Sequence, residues 1–222
     1  MFDGHKEAPL TRRHGASFRH PARGFTLMEV LVSIVVLSFG MLGMVGIQAF
    51  ALQSNREARM QAQAVNLARE LAEMMRGNNQ VGIKTTAADN PYLIAGTSPL
   101  SPATASNCLG VGNSATGCST TLDVAHAEMT DWLARVDTEL PGARVTVCFD
   151  SAPYDTNGLP QWTCTPGTTG TDEIAVIKIG WTRQSTDRSK KDASMLERAS
   201  DANSRPSVLV PVTSGNPLGA PS

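Results

Sequence analysis

Histidine, aromatic side chains and a dominant charge are what this chain has least of. Only four histidines occur in 222 residues, and three of them, His5, His14 and His20, fall in the first 20. The body of the chain keeps His126 alone, which sits between Asp123 and Glu128 on an expected helix and reads as a solvated surface residue. No G-x-S-x-G, phosphate-binding loop or G-x-G-x-x-G accompanies it, so nothing points to an enzyme. No C-x-x-C occurs either, and four cysteines with one remaining histidine argue against a zinc site, so no cofactor is expected. Aromatics make up 5% of the chain, and 19 Lys+Arg against 20 Asp+Glu leave a net charge of -1, which argues against a nucleic-acid surface. With 41% hydrophobic residues the chain is not wholly disordered.

One absence is local. From Val30 to Leu52 no charged side chain occurs, a run of 23 residues. That is longer than the roughly 7–15 residues of a signal-peptide core and above the roughly 20 needed to cross hydrocarbon as a helix, so the segment is expected to stay in the bilayer. Residues 1–24 before it carry five positive charges, Lys6, Arg12, Arg13, Arg19 and Arg23, against Asp3 and Glu7, a balance of 5 − 2 = +3. A basic flank of this kind stays in the cytoplasm, which sends everything after residue 52 to the other side. Glu29 interrupts the apolar pattern between Met28 and Val30, where an ionised carboxylate costs several kcal/mol unless it snorkels or is paired.

The stretch Arg23-Gly24-Phe25-Thr26-Leu27-Met28-Glu29-Val30-Leu31-Val32 closely resembles the class III signal of type IV prepilins and pseudopilins. The resemblance implies cleavage between Gly24 and Phe25 by the prepilin peptidase, N-methylation of Phe25, and a role in assembly for Glu29 as the family's membrane-embedded glutamate. Met28 stands where the family has Leu or Ile, a volume-conserving change. The fold it implies is α+β and type IV pilin-like: a long N-terminal helix, half transmembrane and half amphipathic, with a small antiparallel-sheet head and one further helix. The expected organisation is a leader at 1–24, a transmembrane half at 25–52, an amphipathic half at 53–77, a periplasmic head at 78–213 and a disordered tail at 214–222.

The residues support that division. Met60, Ala64, Leu67, Leu71 and Met74 recur every three or four positions among charged residues, which continues the helix in amphipathic form. Gly77 before Asn78 and Asn79 suggests a left-handed cap. Phe25 to Arg76 would make a rod of roughly 78 Å at the helical rise per residue. Gly40, Gly43 and Gly46 inside the apolar half are compatible with close packing in the membrane or with a segment that melts on assembly.

In the head, residues 78–121 hold two charged side chains, Lys84 and Asp89, and read as a long irregular loop. Leu122, Ala125, Met129, Leu133, Val136 and Leu140 trace one face of a helix over 122–140, stopped by Pro141-Gly142. Strands are expected at 143–150 and 173–183 as an antiparallel pair, and at 207–213 as a short or edge strand because of Pro211. The run Asp131-Trp132-Leu133 to Leu140-Pro141-Gly142, then a Cys-bearing strand and Trp181-Thr182, resembles the head of PilV-type minor pilins. Trp132 and Trp181 read as core or interface anchors.

Cys108, Cys118, Cys148 and Cys164 all follow the apolar run, and in a periplasmic setting an even count favours disulfides. Three connectivities are open. The expected one is Cys108–Cys118 with Cys148–Cys164, in which both close short loops worth about 3 kcal/mol each in the chain-entropy model.

The function implied is that of a minor pilin, a structural and assembly-priming subunit held in the inner membrane with its head in the periplasm. The partners implied are the prepilin peptidase, other minor pilins and the major pilin, the pilus assembly platform and a tip adhesin. A minor pseudopilin of type II secretion and a DNA-binding competence pilin are the alternatives. Against the latter, the loop from Ser185 to Pro206 sets five positive charges against four negative ones, the mixture of a solvated loop.

Overall fold

The computed structural model describes residues 24–110, 117–167, 174–185 and 195–213. The leader up to residue 23, with His5, His14 and His20, the tail from 214, Glu173 and the charged stretch 186–194 lie outside the described residues. The chain divides into a unit ending at Phe50 and one beginning at Ala51.

In the first unit residues 24–26 are outside regular structure and lead into helix α1, which runs Leu27–Gly77. From Leu27 to Phe50 every residue of α1 is exposed. An 18-residue stretch of α1 reaches a mean hydropathy of 2.5, so the helix is long and apolar enough to cross a membrane. Ser33 and Ser38 do not interrupt it, because each hydroxyl donates to the carbonyl four residues back, at 2.7 Å.

The second unit is α+β. The remainder of α1 buries Met60, Ala64, Leu67, Ala68, Leu71, Ala72 and Met75, one stripe at helical spacing. A single turn of helix, α2 (Asn79–Gly82), and strand β1 (Ile94–Thr97) follow. Helix α3 covers Thr121–Glu139, one residue earlier at each end than its apolar face suggests. Its start is a capping box: Thr120 Oγ1 accepts from the Asp123 amide at 3.1 Å while the Asp123 carboxylate accepts from the Thr120 amide at 3.0 Å. Strands β2 (Arg144–Phe149), β3 (Ala175–Gly180), β4 (Arg183–Gln184), β5 (Leu196–Glu197) and β6 (Val208–Val212) complete the unit.

Four strands form one antiparallel sheet in the order β1-β2-β3-β6, with Val145 opposite Ile179 and Ile177 opposite Val210. Pro211 lies in β6 at the edge, where a residue without an amide hydrogen is tolerated. Side chains of α1, α3 and the sheet share one hydrophobic cluster, centred on Leu71, Trp132, Leu133, Val145, Ile177 and Ile179. Trp132 ties the two helices together, since its Nε1–H donates to the Leu67 carbonyl at 2.9 Å from a fully buried position.

Three sequence expectations need correction. Gly77 is not a left-handed cap: positive φ among described glycines occurs at Gly117, Gly142 and Gly158. The Asn78 amide still bonds the Met74 carbonyl at 2.9 Å, and Asn78, at φ -107° and ψ 55°, turns the chain into α2 while its side chain donates to the Thr121 carbonyl. The stretch 78–121 is not all loop, because Ile94–Thr97 pairs with β2. Four residues including Gly96 give too short an alternation to stand out. The strand expected over 173–183 stops at Gly180 instead of continuing through Trp181, and Arg183–Gln184 starts a separate two-residue ladder with β5.

Every residue of β3 is buried, which the alternating pattern did not suggest. Ala175, Ile177 and Ile179 enter the main core, and the opposite face is covered by the excursion of chain at 150–165. There Trp162 packs on Gly180, so close that a Cβ at residue 180 would stand 2.9 Å from its ring. Lys178, fully buried, donates from Nζ to Asp150 at 2.5 Å, to the Gln161 carbonyl at 2.9 Å and to the Thr163 carbonyl at 2.8 Å.

Gly142 is the glycine whose conformation is required. At φ +60° it turns the chain from α3 into β2, and a Cβ there would collide with the Thr182 hydroxyl. Gly142→Ala is expected to lower the stability of the oxidised protein by about 1–3 kcal/mol, read from denaturant midpoints at unchanged slope. An unchanged midpoint would show that the turn relaxes at no cost.

Candidate processing and assembly site

The site is built from the first turn of α1 and the three residues before it. Gly24 and Phe25 precede the helix and are exposed, Phe25 to 82%. A Cβ at Gly24 would meet nothing within 4 Å, so no packing in this molecule demands glycine at that position. Thr26 opens the helix: its Oγ1 accepts from the Glu29 amide at 3.2 Å and its carbonyl from the Glu29 and Val30 amides at 3.1 and 3.3 Å. T-x-x-E is the sequence form of a capping box, a helix-start signal that the sequence reading passed over inside the same residues. The Gly24–Phe25 peptide therefore lies outside the helix, in chain free of helical hydrogen bonds, and the helix begins two residues beyond it.

Glu29 sits in the first turn, where a carboxylate is favoured by the helix dipole. Its amide serves the Thr26 cap, its carbonyl accepts from Ser33, and among the described residues no ion pair involves its carboxylate. Its side chain is thus available to a positive charge, while the helix start uses only the backbone amide of Glu29.

Residues 19–45 match a family described as "Prokaryotic N-terminal methylation motif". The match spans the exposed Gly24–Phe25 bond, the cap and α1 as far as Val45. The chain carries the signal of a type IV pilin or pseudopilin. No curated protein matches the chain, and no solved structure does. The long apolar helix, the four-stranded antiparallel sheet and the further helix fit a type IV pilin-like α+β fold. The motif implies processing by prepilin peptidase and assembly with other pilins, and motif and apolar helix together fit a membrane-anchored pilin.

The remaining residues singled out in the sequence lie in the second unit of this pilin-like chain. Cys108 and Cys118 form one disulfide and Cys148 and Cys164 another, with Cα atoms 5.0 and 6.3 Å apart. The first closes the loop before α3; the second joins β2 to the excursion over β3. Trp132 and Trp181 are both buried, as core anchors. His126 is not a solvated residue: it is half-buried, and its Nδ1 is enclosed with no hydrogen-bond partner among the described residues. The 106–108 loop lies against the same helix, with the Ser106 amide bonded to Thr130 Oγ1 at 3.0 Å and Cys108 Sγ 3.5 Å from the Asp123 carbonyl. Among the described residues no group of His, Cys, Asp and Glu is arranged to hold a metal.

Three side chains carry electrostatic weight that the sequence reading missed. Tyr92, fully buried, donates to the Glu128 carboxylate; burial and that bond push its hydroxyl well above the usual phenol range. Asp150 lies under the excursion. Burial alone would push its carboxyl up, but hydrogen bonds from Lys178, the Thr165 amide and the Ala152 amide outweigh it and hold the carboxyl below its ordinary value. Arg144 is held below its ordinary value by burial. The pairs Tyr92–Glu128, Asp150–Lys178 and Arg144–Trp162 have no local sequence signal, since their members lie 36, 28 and 18 positions apart.

Proposed function

We propose that this chain is a minor pilin of a type IV pilus, a structural subunit that helps prime assembly. It would wait in the inner membrane as a single-pass protein with a cytoplasmic leader and a periplasmic head, and enter the fibre through its N-terminal helix. The observation that carries this reading is the methylation motif at residues 19–45, with its Gly24–Phe25 bond exposed immediately before a capped 51-residue helix. The PilV-like order of elements in the head, a Trp-bearing helix ending in Leu-Pro-Gly and then a Cys-bearing strand, favours a minor pilin over the major subunit. On this reading the partners are the prepilin peptidase, other minor pilins, the major pilin, the assembly platform and a tip adhesin.

A minor pseudopilin of type II secretion would share the same motif. Neighbouring genes separate the two, with other minor pilins pointing one way and secretin and export components the other. A DNA-binding competence pilin is tested by gel shift at physiological salt.

Cleavage itself is tested at Gly24. Gly24→Val should leave a full-length, leader-bearing chain in cells with active peptidase, whereas the wild type should yield N-methylated Phe25 by mass spectrometry of the membrane extract. Because a side chain at residue 24 has open space around it, a processing defect there would come from the peptidase's need to fit the backbone and not from misfolding. An intact leader on the wild-type protein would overturn the assignment.

A further inference from the structure

We propose that the groove beside the 150–165 excursion, floored by Arg144 where it lies on Trp162, is a binding site for a small monoanionic carboxylate ligand. The groove holds about 570 Å³, enough for a molecule the size of a sugar acid or a capped amino acid. Besides Arg144 and Trp162 it is lined by Gln161, Thr163, Asn203 and Arg205, a polar wall around an arginine.

Arg144 is the residue that calls for a ligand. It is half-buried at the start of β2, its guanidinium 4.4 Å from the centroid of the Trp162 ring, and among the described residues its side chain makes one hydrogen bond, a long one of 3.4 Å from Nη1 to the Ala199 carbonyl. No carboxylate lies within ion-pair distance of it among the described residues, and burial depresses its pKa with no neighbouring anion to oppose the effect. A partly desolvated cation whose remaining donors face the groove is offered a stronger partner than water when a carboxylate enters. Arg205, in the same groove, shows the contrast: it is already engaged by Asp155 at 2.8 Å and the Pro160 carbonyl at 3.0 Å.

Charge and shape narrow the ligand. Arg144 and Arg205 against Asp155 leave the groove at 2 − 1 = +1, which a single carboxylate neutralises and a phosphate dianion would overshoot. The indole covers one face of the guanidinium and leaves its edge free of protein carboxylates among the described residues. A planar carboxylate meets that edge in the fork geometry that makes such pairs strong.

The walls are already in place. Trp162 is fixed by its Nε1–H donating to Ser204 Oγ at 3.1 Å and by contact with Gly180. The excursion is held at its base by Lys178 and by the Cys148–Cys164 disulfide, and at its tip by Asp155 Oδ1, which accepts from the Asn157 and Leu159 amides. A groove pinned at both ends loses little entropy when occupied.

The test uses the mature full chain in a neutral detergent, with arginine and tryptophan side chains labelled for NMR. The probes are N-acetylglycinate and D-glucuronate, with N-acetylglycinamide and D-glucose as neutral counterparts and inorganic phosphate as the dianion. Either carboxylate should shift the Arg144 Nε–H and Trp162 Nε1–H signals saturably, and Arg144→Met should weaken that binding at least about tenfold. A response to glucuronate alone assigns an acidic sugar, and one to N-acetylglycinate alone a peptide-type carboxylate. The proposal is overturned by absence of saturable shifts at about 100 mM probe, where even weak carboxylate binding would register. Equal shifts from the neutral counterparts, tighter binding of phosphate, or undiminished binding by a folded Arg144→Met would overturn it as well. Should that variant fail to fold, the comparison of charged with neutral probes on the wild type decides alone.

Discussion

Lys178→Met is expected to cost the second unit about 3–5 kcal/mol, enough to unfold a marginal domain. All three ammonium donors of Lys178 are used, one on Asp150 and two on the carbonyls of Gln161 and Thr163, at a position with no solvent exposure. Removing the amine strands the Asp150 carboxylate without its counter-charge and leaves two carbonyls of the excursion unbonded. Asp150 would keep only the Ala152 and Thr165 amides, at 2.9 and 3.0 Å. Denaturant unfolding of the detergent-solubilised protein, followed by tryptophan fluorescence, measures the loss. Limited proteolysis should cut Lys178→Met first between residues 150 and 165. Adding Asp150→Asn to Lys178→Met should recover part of the stability, because the amide retains an oxygen for the two backbone donors without a buried charge.

The same pair sets a direction for pH. The Asp150 carboxyl titrates lower in the folded protein than in the unfolded chain, so its contribution is complete above the unfolded value of about 4 and fades as pH falls through the folded one. Wild-type stability should therefore decline on acidification below about pH 4, and the Lys178→Met, Asp150→Asn double variant should lose less over that interval. A double variant that declines as steeply would place the acid sensitivity elsewhere.

The second large effect concerns Glu29. Under the proposed function, cleavage leaves an ammonium at Phe25, four residues before a carboxylate with no ion pair among the described residues. Opposite charges attract far more strongly in an apolar bundle than in water, and an ammonium buried there unpaired costs several kcal/mol. Glu29→Ala and Glu29→Gln should both reach the inner membrane in normal amounts, because removing the charge makes the helix a better membrane segment. The helix start should survive as well, since the Thr26 cap uses the backbone amide of residue 29. Their abundance in sheared fibres should fall at least about tenfold against wild type. Normal incorporation of Glu29→Gln would show that shape and not charge is what assembly reads, and normal incorporation of both would reduce Glu29 to a carboxylate at the membrane interface.

Much of the architecture was legible because it is carried by local patterns. The apolar stripe from Met60 to Met74 and the face from Leu122 to Val136 each repeat at helical spacing for several turns, and α1 and α3 are where those stripes lie. The β2 and β6 strands fall within a residue of their expected limits, and Pro211 lies at the sheet edge, because β-branched alternation and a missing amide hydrogen are properties of a few adjacent residues. The R-G-F-T-L-M-E signal is likewise local, and so is the Thr26 cap hidden inside it. Gly77 misled because a glycine after a helix is a common stop signal, yet here Asn78 finds the Thr121 carbonyl 43 residues away and turns the chain by itself.

By itself, then, the sequence determined the apolar helix, the processing signal, the second helix and the main strands, all of them set by neighbours within a turn or two of chain. Only the tertiary structure decided that β1 exists, that His126 is half-buried, which of three cysteine pairings occurs, and that a lysine in an alternating strand is buried on an aspartate. Those outcomes depend on which distant segment covers which face. The excursion at 150–165 settles the largest of them: by folding back over β3 it excludes water from a face that would otherwise be solvated, and Lys178, Asp150 and Arg144 owe their environments to it.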